Sequence, residues 1–326
     1  MKKSFYLFSS GKLRRKDNSL IFESKNKSYI PIENVYDIFV FGELEINSKL
    51  IDFLSQNGIP IHFFNYYGFY SGSFYPREKY VSGNLLVKQV EHYINSQKRI
   101  EIAKELVDSA AYNMFRNLRY YNSRKKGLKE FLLEIENFRN KISFQKNIQA
   151  LMGIEGNIRE TYYKSWEKIT KYTFEKRVKR PPSNLVNTLI SFLNSIMYTT
   201  TLTEIYKTYL NPTISYLHEP GKKRFSLSLD ISEVFKPLIV DRLIFTLLNK
   251  NIITEKDLKK ELDYTHIKED AKKTIVRMYD ERLKNKVYHK TLKKNVSYKQ
   301  LIRLECYKLV KHLLEEKKYE AFKLWW

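Results

Sequence analysis

The sequence predicts an α+β fold, with a small N-terminal β-rich domain over residues 1–75 and a larger all-α, basic domain over residues 76–326. Three observations predict it. Short apolar runs alternate with turn residues as far as Tyr75, a helical period takes over from Leu85, and the charge is nearly balanced before that change and strongly positive after it. A hydrophobic content of 43% over 326 residues is enough for two buried cores and excludes a mostly disordered chain.

In chain order, β-type runs fall at 5–8, 20–22, 35–41, 59–64 and 68–74. One short helix interrupts them, with Asn47 as its cap, an apolar face of Leu50, Ile51, Phe53 and Leu54, and Gly58 as its stop. Gly72, Ser73 and Pro76 break the pattern, so the domain boundary is placed at 71–79. A long helix then carries Leu85, Val90, Ile94, Ile102, Leu106, Phe115 and Leu118. Further helices follow at 128–138, 144–169, 185–209, 234–248, 268–282 and 298–316. The aromatic run Phe39, Phe41, Phe63, Phe64, Tyr66 and Tyr67 serves either as a dimer contact or as an intradomain core.

Fifty-nine Lys and Arg against 36 Asp and Glu leave +23, which points to a polyanion, a membrane surface or an acidic partner. Lysine outnumbers arginine and Asn and Ile are abundant, so biased genome composition is the competing explanation. Residues 1–75 hold nine basic and seven acidic residues, +2, leaving 50 against 29, +21, for the rest. Any polyanion should therefore bind mainly the helical domain. Basic clusters lie at 124–126, 176–180, 222–224, 284–286 and 293–294, and the candidate nucleic-acid contacts are Lys176, Arg177, Lys179, Arg180, Lys222, Lys223 and Arg224. Tyr120, Tyr121, Tyr172 and Tyr288 interleave with these clusters, as aromatic rings that stack on bases would. Solvated helix faces with core-packing tyrosines account for the same pattern.

The only cysteine, Cys306, fits a reducing compartment and excludes a Cys-rich zinc scaffold. The N-terminus lacks a secretory apolar region, and no stretch approaches the ~18 apolar residues of a membrane span. A soluble, cytoplasmic protein without a membrane anchor is expected.

Two regions carry candidate chemistry. In the first, Leu151, Glu155, Ile158 and Tyr162 share one helical face, which places a carboxylate in a stripe that should be apolar. Gly153 and Gly156 bracket Glu155, each at a cost of about 1 kcal/mol in a helix, as if something must approach the backbone closely. The simpler explanation is a rim carboxylate paired with Arg159 at i+4.

In the second region His218 precedes a Pro-Gly turn, twelve residues ahead of Asp230. Phe225, Leu227 and Leu229 alternate with Ser226, Ser228 and Asp230, which predicts a short extended segment delivering Asp230 to the start of a helix. Asp230 and Glu233 also have the spacing of a capping box, and Pro237 permits a kink one turn on. If Glu155, His218 and Glu233 converge, two carboxylates and an imidazole suit Mn²⁺ or Mg²⁺, and zinc less well. Such an ion polarises a phosphodiester while Lys222, Lys223 and Arg224 neutralise flanking phosphates.

The sequence resembles the CRISPR-associated spacer-acquisition integrase family, the universal adaptation protein of CRISPR systems. The resemblance rests on Leu151-Met152-Gly153-Ile154-Glu155-Gly156 with Tyr162 and Tyr163, and on Arg180-Pro181-Pro182-Ser183-Asn184-Leu185 opening a helix. It rests also on Leu217-His218 followed by Leu227-Ser228-Leu229-Asp230-Ile231-Ser232-Glu233. It spans nearly the whole chain. What it implies is a catalytic set of Glu155, His218, Asp230 and Glu233, with Glu155, His218 and Glu233 holding Mg²⁺ or Mn²⁺ and Asp230 adjacent. It further implies a homodimer joined to a small ferredoxin-like partner protein, carrying a short DNA duplex whose 3′-hydroxyl ends attack a CRISPR repeat. Metal-dependent endonuclease activity on DNA is the related property. Two departures are visible: some members carry Asp where this chain has Glu233, and Lys236 stands where Arg is frequent. The residues alone leave two other readings open, a non-catalytic basic nucleic-acid scaffold and a structural protein with an acidic partner.

Overall fold

The computed structural model describes residues 2–76, 81–174, 177, 182, 184–221, 225–261 and 264–325. It is an α+β structure with the strands at the N-terminal end and a helical remainder. Eight strands and one helix make up the first part: β1 (Lys3–Leu7), β2 (Gly11–Lys16), β3 (Ser19–Glu23), β4 (Lys27–Pro31), β5 (Val35–Val40), β6 (Leu44–Glu45), α1 (Ser48–Asn57), β7 (Ile61–Phe64) and β8 (Tyr70–Phe74). They form two four-stranded sheets, ordered β1-β5-β7-β8 and β4-β3-β2-β6. Each of the expected runs at 5–8, 20–22, 35–41, 59–64 and 68–74 contains strand residues. β2 and β4 go unannounced because their sequences, GKLRRK and KSYIP, turn most of their residues to solvent. Helix α1 starts and stops as its sequence dictates: the Asn47 side chain accepts from the Leu50 amide, and Gly58 closes it with φ +64°.

The first sheet is buried on both faces, which is why β5 is apolar almost throughout. Ile38 and Val40 join a core with Leu13, Leu20, Leu50, Leu54 and Ile61, whereas Phe39 and Phe64 belong to the core of the helical part. Phe41 lies 6.0 Å from Phe192 between ring centres. Three members of the aromatic run at 39–67 thus pack against the chain's own helices. An intradomain core does not describe these three, which pack across to the helical part. The helical part also grips the sheet through polar groups. Lys299 reaches Asp37 at 3.0 Å and Ser4 at 2.9 Å, and the Tyr36 hydroxyl donates to Glu204 at 2.8 Å.

The remainder comprises α2 (Gly83–Ile94), α3 (Ser96–Asn122), α4 (Lys129–Asn140), α5 (Ile148–Lys164), α6 (Trp166–Thr170), α7 (Leu185–Tyr206), α8 (Ser226–Lys236), a π-helical segment (Pro237–Asp241), α9 (Arg242–Asn249), α10 (Glu269–Lys284) and α11 (Tyr298–Leu313). The long helix expected from Leu85 to Leu118 is divided at Asn95, whose side chain accepts from the amides of Gln97 and Lys98 and so restarts the helix as α3. Helix α7 is buried on nearly every side, and α8, α11 and the π-helical segment pack against it.

Two corrections apply here. The helical part is not all-α: hairpins β9–β10 (Leu258–Glu261, Tyr264–Ile267) and β11–β12 (Lys286–His289, Lys294–Ser297) lie on either side of α10. Their strands are four residues long, too short to show a period. The segment expected to be extended at 225–230 is helix from Ser226 onward, so Asp230 lies inside α8 and does not cap it. Alternation over six residues is overridden by Leu227, Ile231, Val234 and Phe235, four fully buried side chains at helical spacing. The π-helical segment begins at Pro237, where a missing amide hydrogen disturbs the helical ladder as expected. The expected boundary at 71–79 begins inside β8, and its residues 77–79 lie outside the described ones. Among the described residues no helix is long and apolar enough to cross a membrane.

Candidate active site

Helix α5 is set by Asn147, whose side chain accepts from the Ala150 amide at 2.8 Å, and by Leu151, Ile158 and Tyr162, which are buried. That anchoring leaves Glu155 at the rim of the buried stripe, with Arg159 one turn on. Arg159 Nε donates to Glu155 Oε1 at 2.7 Å, a second guanidinium nitrogen bonds the same oxygen, and Nη2 reaches Glu233 Oε2 on α8 at 2.7 Å. The pair expected from i+4 spacing therefore exists, and it is half of a bridge between two carboxylates. Lys236 Nζ donates to the other Glu233 oxygen at 2.7 Å. Burial opposes ionisation of Glu233, but Arg159 and Lys236 outweigh it and hold its carboxyl well below the usual range.

His218 reaches the same locality from the loop between α7 and α8. Its Nδ1 is 2.7 Å from Asp230 Oδ1, which leaves Nε2 for another ligand. Asp230 is fully buried and also accepts the backbone amides of Tyr216, Leu217 and His218 at 2.7, 3.0 and 3.0 Å. A carboxylate that binds the loop's amides and the ring together fixes both the loop path and the ring orientation. Arg99 on α3 donates to the Tyr216 carbonyl at 2.8 Å and pairs with Glu219 at 2.7 Å, holding the loop from its other side. Burial disfavours the His218 imidazolium, yet the bond to Asp230 and the charges of Asp230 and Glu233 raise its pKa above the ordinary value.

Sequence reasoning names Glu155, His218, Asp230 and Glu233, and α5, α8 and the loop before α8 carry them to one region. It casts Arg159 only as a partner of Glu155 and misses Asp241 and Asn117. Asp241, at the end of the π-helical segment, is pushed up to about 7 by burial despite a bond from Tyr162. Asn117 on α3 donates to the Tyr162 hydroxyl at 3.0 Å and to the Pro237 carbonyl at 2.7 Å, tying α5 to the end of α8. A polar residue inside the apolar stripe of α3 was the available signal for Asn117.

Among the described residues no three His, Cys, Asp or Glu side chains form a ready-made metal cluster. The donor set nonetheless fits a hard divalent cation: one guanidinium already touches both carboxylates, marking a place where they share a positive charge, and the imidazole beside them is oriented by a carboxylate. A Cβ added at Gly153 or Gly156 would meet no heavy atom within 4 Å, so the face of α5 beside Glu155 is open. Of the expected nucleic-acid contacts, Lys176, Lys179, Arg180, Lys222, Lys223 and Arg224 lie outside the described residues. Arg177 is half-buried and donates to Asn187 at 3.0 Å and Ser191 at 2.9 Å.

The family model "CRISPR associated protein Cas1" matches residues 5–281, a span that takes in both sheets and every candidate site residue. The chain belongs to the Cas1 family. A CRISPR-associated endonuclease Cas1 of Fusobacterium nucleatum is 58% identical over 330 residues, covering 100% of this chain and 98% of its own. The structure of a Cas1 protein from Thermotoga maritima superposes with a TM-score of 0.88 at 44% identity, over 98% of this chain and 100% of that one. A casposase bound to integration product shares the fold with a TM-score of 0.88 at 19% identity, over 97% and 92% of the two chains. The resemblance drawn from the three sequence motifs is thereby borne out at the level of the family.

Proposed function

We propose that the protein is a metal-dependent DNA endonuclease and integrase of CRISPR adaptation, which captures short duplex DNA and inserts it at CRISPR repeats. The observation that carries this reading is the Arg159 bridge between Glu155 and Glu233 beside an imidazole oriented by Asp230. Family membership supports it, as does the open backbone at Gly153 and Gly156, where a DNA strand could approach the carboxylates.

In this reading Glu155, His218 and Glu233 would hold Mg²⁺ or Mn²⁺. The bound ion supplies Lewis acidity toward a phosphodiester oxygen and lowers the pKa of the attacking hydroxyl. Asp230 keeps the His218 ring in place with Nε2 outward and stabilises positive charge on it. Arg159, which bridges the two carboxylates, would stand beside the ion and pair with a phosphate oxygen as charge builds there. The new bond forms between the 3′-hydroxyl oxygen and the repeat phosphorus as the repeat strand's own P–O3′ bond breaks, and the proton lost by the attacking hydroxyl is balanced by one taken up at the departing 3′-oxygen. With water as nucleophile the same geometry gives hydrolysis. The active form is a homodimer with a small ferredoxin-like partner protein, acting in the cytoplasm.

The test is strand transfer of a 3′-hydroxyl duplex into a supercoiled plasmid bearing a repeat, with Mn²⁺ or chelator and the small partner present. Wild type should insert only with the ion, and His218→Ala should bind DNA without inserting it. A second reading, a non-catalytic scaffold, is favoured by one observation: Arg159 already neutralises Glu155. Mn²⁺ titration by calorimetry separates the two, since a scaffold whose carboxylates serve only that ion pair has no affinity for the ion.

A further inference from the structure

Helix α3 carries a polar stripe on a side that packs inward. Glu105, Ser109, Asn113 and Asn117 follow one another at i+4 spacing, and Ser109, Asn113 and Asn117 are fully buried. Buried polar side chains need partners, and this stripe finds them in two stretches of backbone. The first is residues 319–325, which follow α11 and form neither helix nor strand. The Ala321 amide donates to Glu105 at 3.1 Å, and the Ser109 hydroxyl donates to the Phe322 carbonyl. Asn113 donates to that same carbonyl at 3.2 Å and accepts from the Leu324 amide at 2.9 Å. The second stretch is the end of α8 and the start of the π-helical segment. Asn113 donates to the Val234 carbonyl at 2.9 Å, and Asn117 to the Pro237 carbonyl at 2.7 Å. Asn113 therefore joins residues 319–325 to α8 through one side chain.

These bonds fall where the ladder of α8 is interrupted. Pro237 has no amide hydrogen for the Glu233 carbonyl four residues back, and the π-helical segment starts at that proline. Glu233, whose carboxylate meets Arg159 at 2.7 Å, lies in the turn just before it. The two residues after Glu233 are both held through residues 319–325. Val234 is held by the bond from Asn113, and the Phe235 ring stacks on Phe322 with 5.4 Å between ring centres and 22° between planes. Residues 319–325 have anchors of their own besides α8. Buried Glu305 on α11 accepts from the Tyr319 hydroxyl at 2.7 Å and the Phe322 amide at 3.1 Å, and Lys323 pairs with Asp108 at 2.6 Å. Tyr319, Phe322 and Leu324 are buried. They form a fixed bed behind α8, outside the residues 5–281 that the family model matches, and share no residue with the candidate site.

We propose that residues 319–325 position Glu233: through Asn113 and Phe322 they fix the stretch of α8 that presents its carboxylate to Arg159 and Glu155. The consequence for strand transfer rests on the DNA reading above. The experiment compares wild type with Phe322→Leu, which takes the ring away from Phe235, and with Leu20→Val, a small loss in the separate core of the β part. Two quantities are read on the folded full chain. The first is solvent exchange of the Arg159 Nε–H proton by NMR, without metal or DNA, the resonance being assigned by its loss in Arg159→Lys. Exchange should be faster in Phe322→Leu by roughly 2- to 10-fold, as the loss of one aromatic pair allows. The second is Mn²⁺-dependent strand transfer with the small partner present. Its rate at saturating DNA should fall on the order of 10-fold, while the half-saturating DNA concentration stays unchanged. Leu20→Val should leave both quantities at wild-type values. If it shifts both by the same factors as Phe322→Leu, the effect is lost stability and the proposal falls. Exchange or strand transfer at the wild-type rate in Phe322→Leu also overturns it. If wild type transfers no strand with any ion, the DNA reading fails, and exchange alone decides whether these residues set the bridge. Should Phe322→Leu not fold, Ser109→Ala, which deletes one bond to the Phe322 carbonyl, is judged by the same two readings.

Discussion

Arg159 of α5 and Glu233 of α8, 74 residues apart in sequence, are joined by a 2.7 Å ion pair, and through it Glu155 is drawn to the same charge. The bridge explains how two carboxylates can face one another on a protein without repelling. On the proposed reading a divalent cation would compete with the guanidinium for the same oxygens.

Arg159→Met tests that competition. Removal of the bridge leaves two carboxylates facing each other, and the ion-free protein should lose about 2 kcal/mol, less than a fully buried pair would because the site retains some exposure. Addition of Mn²⁺ should raise the melting temperature of the variant more than that of wild type. Equal responses in thermal denaturation would mean that the ion does not bind where Arg159 sits.

Asp230→Asn removes the charge beside His218 while keeping the side chain's size. NMR titration should show the His218 pKa, raised above 6.5 in wild type, falling in the variant. Because the folded value is raised, the pair's stabilisation is complete below about 6.5 and is lost as pH rises through the folded value. The loss of acceptor strength toward three amides should cost a further about 1–3 kcal/mol in urea denaturation. An unchanged His218 titration would remove Asp230 from its positioning role.

Asp241 gives a second pH signature of the same sign. Its pKa is raised from 3.8 to about 7, so its contribution is present below pH 3.8, declines across that window and is gone above about 7. Asp241→Asn should flatten the stability profile between those limits in denaturation curves collected from pH 4 to 8. A profile with the wild-type slope would show that Asp241 is ionised throughout.

Gly68 sits at φ +87° in the loop before β8, and a Cβ there would come within 2.6 Å of the Phe192 ring on α7. Gly68→Ala should destabilise by about 1–3 kcal/mol, through both the backbone conformation and the forced movement of a buried ring. Phe192→Leu in the same background should return part of that loss in chemical denaturation, and no recovery would place the strain in the backbone alone.

The fold was largely legible because its signals are local. Asn47 and Gly58 delimit α1, and the apolar runs from Phe5 to Phe74 find the inner strands. What escaped were strands whose residues face water, such as β2 and β4, since alternation cannot be read from a surface that is polar throughout. At the candidate site the chain announces Glu155 as a carboxylate in a stripe that should be apolar, and His218 and Glu233 only as donors that would suit an ion if they converged with it. It does not announce that Asp230 turns inward to three amides, or that Arg159 reaches across to α8. Both depend on contacts between segments far apart in sequence, which no local period encodes. The misreading of 225–230 has the same origin: six alternating residues resembled a strand until the four side chains facing the core were counted together.

The first sheet has two hydrophobic sides, with Ile38 and Val40 facing one interior and Phe39 and Phe64 the other. A modular protein can be cut at its joints, and here the joint between strands and helices is itself apolar and buried. Residues 81–326 expressed alone would present to water the apolar bed where Phe39 and Phe64 now lie, so dissection into separately soluble halves is the wrong strategy for handling it. Tags and fusions belong at the chain ends, and each half must be studied in the presence of the other.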